Sequence, residues 1–196
     1  MEKRARNGRR SGALIRLGVL LAVAVAAAAC ETKDAAESAR LSRGCGVDGN
    51  PILTSEGMGA FKVGASVDEL RTACLVLRDT TLEQGTEGQP ERRVSVRLGP
   101  DTIEATIQRG RVWRIEVLTP RIRTDDSIGV GSTFAMLPKE GTEYLGYGEG
   151  GPFVRITRHC GLSLDLAGVP GFVRRMEEIP ATARVERVLV IGCRGQ

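Results

Sequence analysis

The sequence predicts an α+β fold built from two tandem copies of one unit, a helix followed by a three-stranded antiparallel sheet. The segment VGASVDEL (residues 63–70) aligns with VGSTFAML (130–137), and RVWRIEVL (111–118) aligns with RVERVLVI (184–191). Two matches in the same order and at nearly the same offset are typical of a duplicated unit. We therefore expect a first copy at residues 58–120 and a second at 121–196, with a short second helix.

The first copy begins with a helix-start pattern. Ser66 and Glu69 form a Ser-x-x-Glu capping box, in which each side chain accepts a hydrogen bond from a backbone amide at the helix start. Apolar positions then recur at helical spacing, at Val67, Leu70, Cys74 and Leu77. Three segments with alternating apolar residues follow and predict strands: ERRVSVRLG, DTIEATIQ and RVWRIEVL.

The second copy repeats this pattern with a shorter helix. Thr133 can cap a helix, but Pro138 follows five residues later and limits the helix to one or two turns. The segments GPFVRITRH, CGLSLDLAG and ARVERVLVIGC predict its three strands. Between the last two lies GVPGFVRRMEEIPAT, for which a short helix and a functional loop are both consistent with the sequence.

Residues 1–29 predict a signal peptide, because a basic start precedes an apolar run, Leu17 to Ala29, that ends in small residues. The run is shorter than the roughly 20 residues of a membrane-spanning helix. Ala27-Ala28-Ala29 satisfies the pattern of ordinary signal peptidase, whereas Cys30 after small residues resembles a bacterial lipobox. We favour lipid attachment at Cys30, which would anchor the protein to a membrane. Residues 30–57 would then form a polar tether between the lipid and the folded part.

Removing the leader also removes the basic character of the chain. Residues 1–29 hold six of the 28 Lys and Arg residues but one of the 24 acidic residues, which leaves 22 basic and 23 acidic residues. The remainder contains few aromatic residues and no long basic run. These features argue against a nucleic-acid partner.

Four cysteines remain after the leader and Cys30, and an even number in an oxidising compartment predicts two disulfides. Three connectivities are open, and a thiolate metal site is the rival interpretation. Cys160 opens one predicted strand and Cys193 closes its antiparallel neighbour, so both lie at the same end of the sheet. We therefore predict the pairs Cys160–Cys193 and Cys45–Cys74.

No residue pattern predicts catalysis, a cofactor or a metal. The single histidine, His159, adjoins Cys160, which is assigned to a disulfide, and we expect it to be exposed at a strand end. Acidic pairs such as Asp125-Asp126 lack the spacing of a calcium loop. We expect a protein that is not an enzyme.

The polar side of the first predicted sheet is the candidate binding surface. Arg97, Glu104, Arg114 and Glu116 lie opposite the apolar positions of their strands and should share one charged face. Any antiparallel sheet covered on one side presents a polar face to water, which is the simpler interpretation. The functional interpretation is a broad protein-binding surface with arginine and tryptophan anchors.

Two copies that each open with Val-Gly-x-[Ser/Thr] before a capped helix resemble the beta-lactamase inhibitor protein-like and SmpA/OmlA-like group of small exported bacterial proteins. The residues that carry the resemblance are Gly64, Ser66 and Leu70, with Gly131, Thr133 and Leu137. Members typically have Met after the Gly, where this chain has Ala65 and Ser132. The resemblance implies a protein that acts by binding other proteins in the cell envelope.

Two functions follow as hypotheses. The first is a non-catalytic envelope lipoprotein that binds an unknown envelope protein through the polar sheet face. The second is an exported enzyme or small-ligand receptor that uses a cleft between the two copies.

Overall fold

The computed structural model describes residues 45, 47, 50–85, 88–148 and 150–193. The predicted signal peptide and Cys30 lie outside the described residues.

The described chain contains one α-helix and ten strands. The helix, α1, is Val67–Ala73. The strands are β1 (Gly57–Met58), β2 (Phe61–Lys62), β3 (Leu75–Leu82), β4 (Glu91–Leu98), β5 (Asp101–Gln108), β6 (Arg111–Val117), β7 (Thr142–Gly148), β8 (Gly151–Ile156), β9 (Leu162–Ala167) and β10 (Arg184–Val190). β1 and β2 form a small hairpin, and the other eight strands form one antiparallel sheet in the order β3-β4-β5-β6-β10-β9-β8-β7.

The predicted fold class is wrong. The described structure is mostly β, with one helix and a single eight-stranded sheet, and it contains no tandem copies of a helix with three strands. The sheet instead consists of two four-stranded meanders, β3 to β6 and β7 to β10. Their last strands, β6 and β10, pair through three residue pairs from Val188↔Val117 to Val190↔Ile115.

The segments that match in sequence nevertheless occupy corresponding positions in the two meanders. Gly64 N–H donates to Val112 O at 2.8 Å, and Gly131 N–H donates to Val185 O at 2.7 Å. Both glycines have a φ of 86°, a left-handed conformation that a residue with a Cβ rarely adopts. The sequence similarity therefore marks two equivalent turns that each attach to the last strand of a meander.

Helix α1 begins as predicted and ends earlier. The Ser66 hydroxyl accepts from Glu69 N–H at 3.2 Å, and the Glu69 carboxylate accepts from Ser66 N–H at 2.6 Å, which confirms the capping box. The helix ends at Ala73, and the chain turns into edge strand β3. Leu77, expected on the apolar face of the helix, lies on β3 and is 44% exposed.

The second predicted helix is only a 3-10 turn, Phe134–Met136. Thr133 stands before it in an extended conformation, but its side chain makes no capping hydrogen bond. The long excursion before β10 contains a further 3-10 turn, Met176–Glu178, and contributes the buried residues Val173 and Ile179 to the core.

The apolar core lies on one face of the large sheet. The alternating residues of the central strands supply most of it, and α1, the β1–β2 hairpin and the excursion before β10 add Leu70, Phe61 and Ile179. Leu70 and Phe61 are completely buried. The burial of these side chains fixes which face of the sheet is left for polar residues.

Two disulfides link the chain, Cys45–Cys74 and Cys160–Cys193, which are the pairs expected from the sequence. The segment between Cys45 and β1 was expected within the polar tether, yet its described part packs on the fold. Leu53 is 2% exposed, and its N–H donates to Arg123 O at 2.8 Å.

Candidate functional site

The four predicted binding residues lie on one face of the sheet. Glu104 is the Cα partner of Glu116, and Arg114 is the partner of Thr106 on the neighbouring strand. The same face continues across β10, β9 and β8 through the register of their residues. We call this surface the polar face, and its members include Arg78, Thr80, Glu91, Arg93, Ser95, Arg97, Thr102, Glu104, Thr106, Arg114, Glu116, Tyr144, Phe153, Arg155, Ser163, Asp165, Arg187 and Leu189.

Two carboxylates lie directly opposite each other at the centre of the polar face. Glu104 and Glu116 are Cα partners, an arrangement that is unfavourable when both are charged. Ser95 Oγ donates to Glu104 Oε1 at 3.0 Å, and Arg93 Nη1 lies 3.6 Å from Glu104 Oε2. Glu116 accepts from Arg187 at 3.1 Å. The neighbouring side chains thus compensate a like-charge pair within the sheet.

A second group of ion pairs surrounds Glu91, whose side chain is 10% exposed. Arg93 Nε donates to Glu91 Oε1 at 2.6 Å, and Thr106 Oγ1 donates to the same oxygen at 3.3 Å. Arg114 Nη2 lies 3.8 Å from Glu91 Oε2. The hydrogen bond to Glu91 raises the pKa of Arg93 above its ordinary value. These contacts join Arg114 on β6 to Glu91 on β4.

Asp165 and Arg187 form the most buried charge pair of the face. The Asp165 residue is 4% exposed, and Arg187 Nε donates to its Oδ2 at 2.7 Å. Burial raises the pKa of Asp165 above its ordinary value, although the hydrogen bond and the charge of Arg187 oppose the rise. Arg187 also donates to Glu116, so it links the two meanders across the β6–β10 pairing.

Arg97 and Arg155 lie far apart on the face, on β4 and β8. Arg97 Nε is buried and has no hydrogen-bond partner among the described residues. The exposed Arg155 has its Cζ 5.0 Å from the ring centroid of Tyr144 and 5.6 Å from that of Phe153. Sequence reasoning did not single out Tyr144, because β7 was not predicted; the paired tyrosines of EYLGY were the available signal. Phe153 lies in a segment that was predicted as a strand, but it was not singled out either.

Trp113, the single tryptophan, borders the polar face. The register shifts between Thr106 and Ile107, so Trp113 is the extra residue of a β-bulge opposite β5. Its ring lies 5.1 Å from Arg114 Cζ. The bulge therefore places an aromatic ring beside the charged network instead of directing it into the core.

His159 was expected to be exposed at a strand end, and this expectation is wrong. It lies in a 3-10 turn, Thr157–His159, and is 7% exposed. Its Nε2 lies 2.9 Å and 3.0 Å from the two carboxylate oxygens of Asp126. Asp125, Asp126 and His159 bring possible metal-ligand atoms within 4.8 Å of one another, but Arg158 lies 3.7 Å from both carboxylates and competes for them.

The two meanders meet through direct pairing of β6 with β10. A pocket of about 570 Å³ lies elsewhere, within the second meander. Phe134, Leu137, Met176 and Ile179 line it with apolar side chains, and Lys139 and Glu177 stand among them. This pocket contains none of the predicted binding residues.

The two disulfides are consistent with an exported protein, because such bonds persist in oxidising compartments outside the cytoplasm. Among the described helices, none has the length and apolar character required to cross a membrane.

No known family description matches the chain, and no curated protein matches it. One solved structure with a similar fold is that of the uncharacterized protein yfeY from Escherichia coli. The two are 15% identical with a TM-score of 0.54, and the match covers 71% of this chain and 99% of yfeY. This similarity shows a shared fold alone. It does not test the resemblance to the beta-lactamase inhibitor protein-like and SmpA/OmlA-like group, which stays a prediction.

Proposed function

We propose that this protein is a non-catalytic protein of the cell envelope that binds another protein through its polar face. The observation that supports this function is the arrangement of Arg97, Glu104, Arg114 and Glu116 on one surface with aromatic rings at both sides. Arginine, tyrosine and tryptophan contribute most often to the energy of protein interfaces. Here Trp113 lies beside Arg114, and Tyr144 lies beside Arg155.

The ion pairs of the polar face favour binding because they hold its side chains in place before a partner arrives. Arg93, Arg187 and Glu104 each contact a neighbour on another strand. A side chain that is already ordered loses less conformational freedom on association.

A photo-cross-linking experiment in the native host tests this function. Benzoylphenylalanine at Tyr144, which is 50% exposed on the polar face, should produce a discrete cross-linked product. The same residue at Phe172, which is 69% exposed outside that face, serves as the matched control. Identical products from both positions, or none from Tyr144, would overturn the proposed binding surface.

The envelope location includes a proposed lipid anchor at Cys30. Metabolic labelling with a palmitate analogue should label the wild-type protein and leave a Cys30→Ala variant unlabelled. An unlabelled wild-type protein would contradict lipidation and favour ordinary signal cleavage after Ala29.

A further inference from the structure

The carboxylates of the polar face are all engaged by the protein itself. Glu104 contacts Arg93, Glu116 and Asp165 contact Arg187, and the remaining carboxylate, Glu91, contacts Arg93. A partner therefore finds no carboxylate on this face that lacks a cation.

The cations of the same face are in excess. Arg97 and Arg155 lie within 4.0 Å of no carboxylate in the part of the chain that the structure describes, and the same holds for Arg78 on the edge strand. Arg97 also has a buried Nε without a hydrogen-bond acceptor there. Arg155 is held in place by two aromatic rings. The groups left over for a partner are thus guanidinium groups, which bind carboxylates strongly.

We propose that the polar face binds an extended acidic segment of a partner protein, with one carboxylate at Arg97 and another at Arg155. This inference rests on the proposed function and adds the chemistry of the partner. The half-buried Leu189 lies between the two arginines, on β10, and provides an apolar contact for the middle of the segment.

The strand order sets the spacing of the two carboxylates. Five neighbouring-strand steps separate β4 from β8, and at about 4.8 Å for each step the two arginines lie about 24 Å apart. An extended chain advances about 3.3 Å for each residue. Successive side chains of an extended chain point to opposite sides, so two carboxylates that both face the sheet must be an even number of positions apart. The two acidic residues of the partner should therefore be about eight positions apart.

A protein segment accounts for this face better than an anionic membrane does. Four carboxylates share the face with the arginines, and a continuous anionic surface would approach all of them at once. A segment with spaced acidic residues places its charges only at Arg97 and Arg155. Vesicles that contain phosphatidylglycerol provide the test of the membrane alternative.

The test uses synthetic ten-residue peptides and the purified protein. One peptide carries two Asp residues eight positions apart among Thr and Val, a second carries them adjacent, and a third has Lys in their place. Binding is followed by the fluorescence of Trp113, the single tryptophan of the chain. The spaced peptide should bind at least ten-fold more tightly than either of the others.

Charge-reversed variants identify the anchors. Arg97→Glu and Arg155→Glu should each weaken binding of the spaced peptide at least ten-fold, whereas Arg174→Glu, an exposed arginine outside the face, should not. Arg155→Lys should retain part of the affinity. Thermal unfolding of each variant confirms that it is folded before binding is measured.

Three results would overturn the proposal: no binding of the spaced peptide, equal loss with Arg174→Glu, or binding to phosphatidylglycerol vesicles in place of the peptide. If cross-links from Tyr144 form while the spaced peptide does not bind, the acidic chemistry is wrong and the proposed binding function stands. If neither occurs, both are wrong.

Discussion

Replacing Arg187 with Met removes the cation that faces the buried carboxylate of Asp165. Asp165 is 4% exposed, and Arg187 contributes two donors to its Oδ2 and one to Glu116. Removing one partner of a buried ion pair costs about 3–5 kcal/mol. Because the Arg187 side chain is 29% exposed, we expect the lower limit, about 3 kcal/mol.

The loss should depend on pH. Burial already holds the pKa of Asp165 above its ordinary value of 3.8, so the folded state keeps this proton more readily than the unfolded state does. The contribution of Asp165 to the free energy of unfolding is therefore fully present at low pH, and it decreases as the pH rises above 3.8. Without Arg187 the pKa of Asp165 rises further. The destabilisation by Arg187→Met should accordingly be large at pH 7 and small near pH 4.

Urea unfolding at both pH values measures this effect. With a urea slope of about 2 kcal/mol/M, the midpoint at pH 7 should fall by about 1.5 M. The double variant Asp165→Asn, Arg187→Met leaves no buried charge at position 165 and should recover part of the loss. An equal loss at pH 4 and pH 7, or a double variant no more stable than Arg187→Met, would refute the reasoning.

Leu70→Ala should destabilise the protein by about 2–5 kcal/mol in urea unfolding, because Leu70 is fully buried, and a loss below about 1 kcal/mol would contradict its role in the core. Asp126→Asn should lower stability more at pH 7 than at pH 2. Burial raises the pKa of Asp126, yet hydrogen bonds from Thr124 and His159 outweigh it and the net pKa is lowered, so its contribution is lost as pH falls below about 3.8; equal melting curves at pH 7 would refute this. Gly146→Ala should cost about 1–3 kcal/mol and change the near-UV circular dichroism, because a Cβ there would lie 2.5 Å from Phe153 Cζ; an unchanged spectrum would show that the aromatic contact is absent.

The sequence predicted the strands with strict alternation. Val94, Val96 and Leu98 were expected on one side of a strand, and all three are buried on β4. Alternation is informative there because one side of each central strand packs on the core and the other does not. The capping box at Ser66 could also be predicted from the sequence, because it depends only on two side chains and the adjacent backbone.

The two edge strands of the large sheet, β3 and β7, were not predicted, and their omission made the predicted fold class wrong. Leu75–Leu82 carries mostly exposed or half-exposed residues, and Cys74 and Leu77 happen to continue the helical spacing of α1. Thr142–Gly148 contains two glycines and has Leu145 as its core-facing apolar residue. Edge strands bury little, so hydrophobic periodicity hardly marks them.

The candidate site was predictable in position but not in its pairing. Alternation placed Arg97, Glu104 and Arg114 on one face, because it needs only the strand assignment. Which carboxylate each arginine contacts depends on strand order, and the β6–β10 pairing that brings Arg187 to Glu116 was not predicted. The burial of His159 was missed for the same reason, since its partner Asp126 is distant in sequence.

The N-terminal segment that packs beside Leu53 acts as a clasp across the two meanders. Neither disulfide crosses the β6–β10 pairing. The segment begins at Cys45, which is bonded to Cys74 beside the first meander, and Leu53 N–H donates to Arg123 O between the two meanders. At its end, Glu56 accepts from the N–H of Cys193, beside the second meander, at 3.2 Å. A chain trimmed to begin at residue 58 would keep all eight strands of the large sheet. It would lose the segment that contacts both meanders.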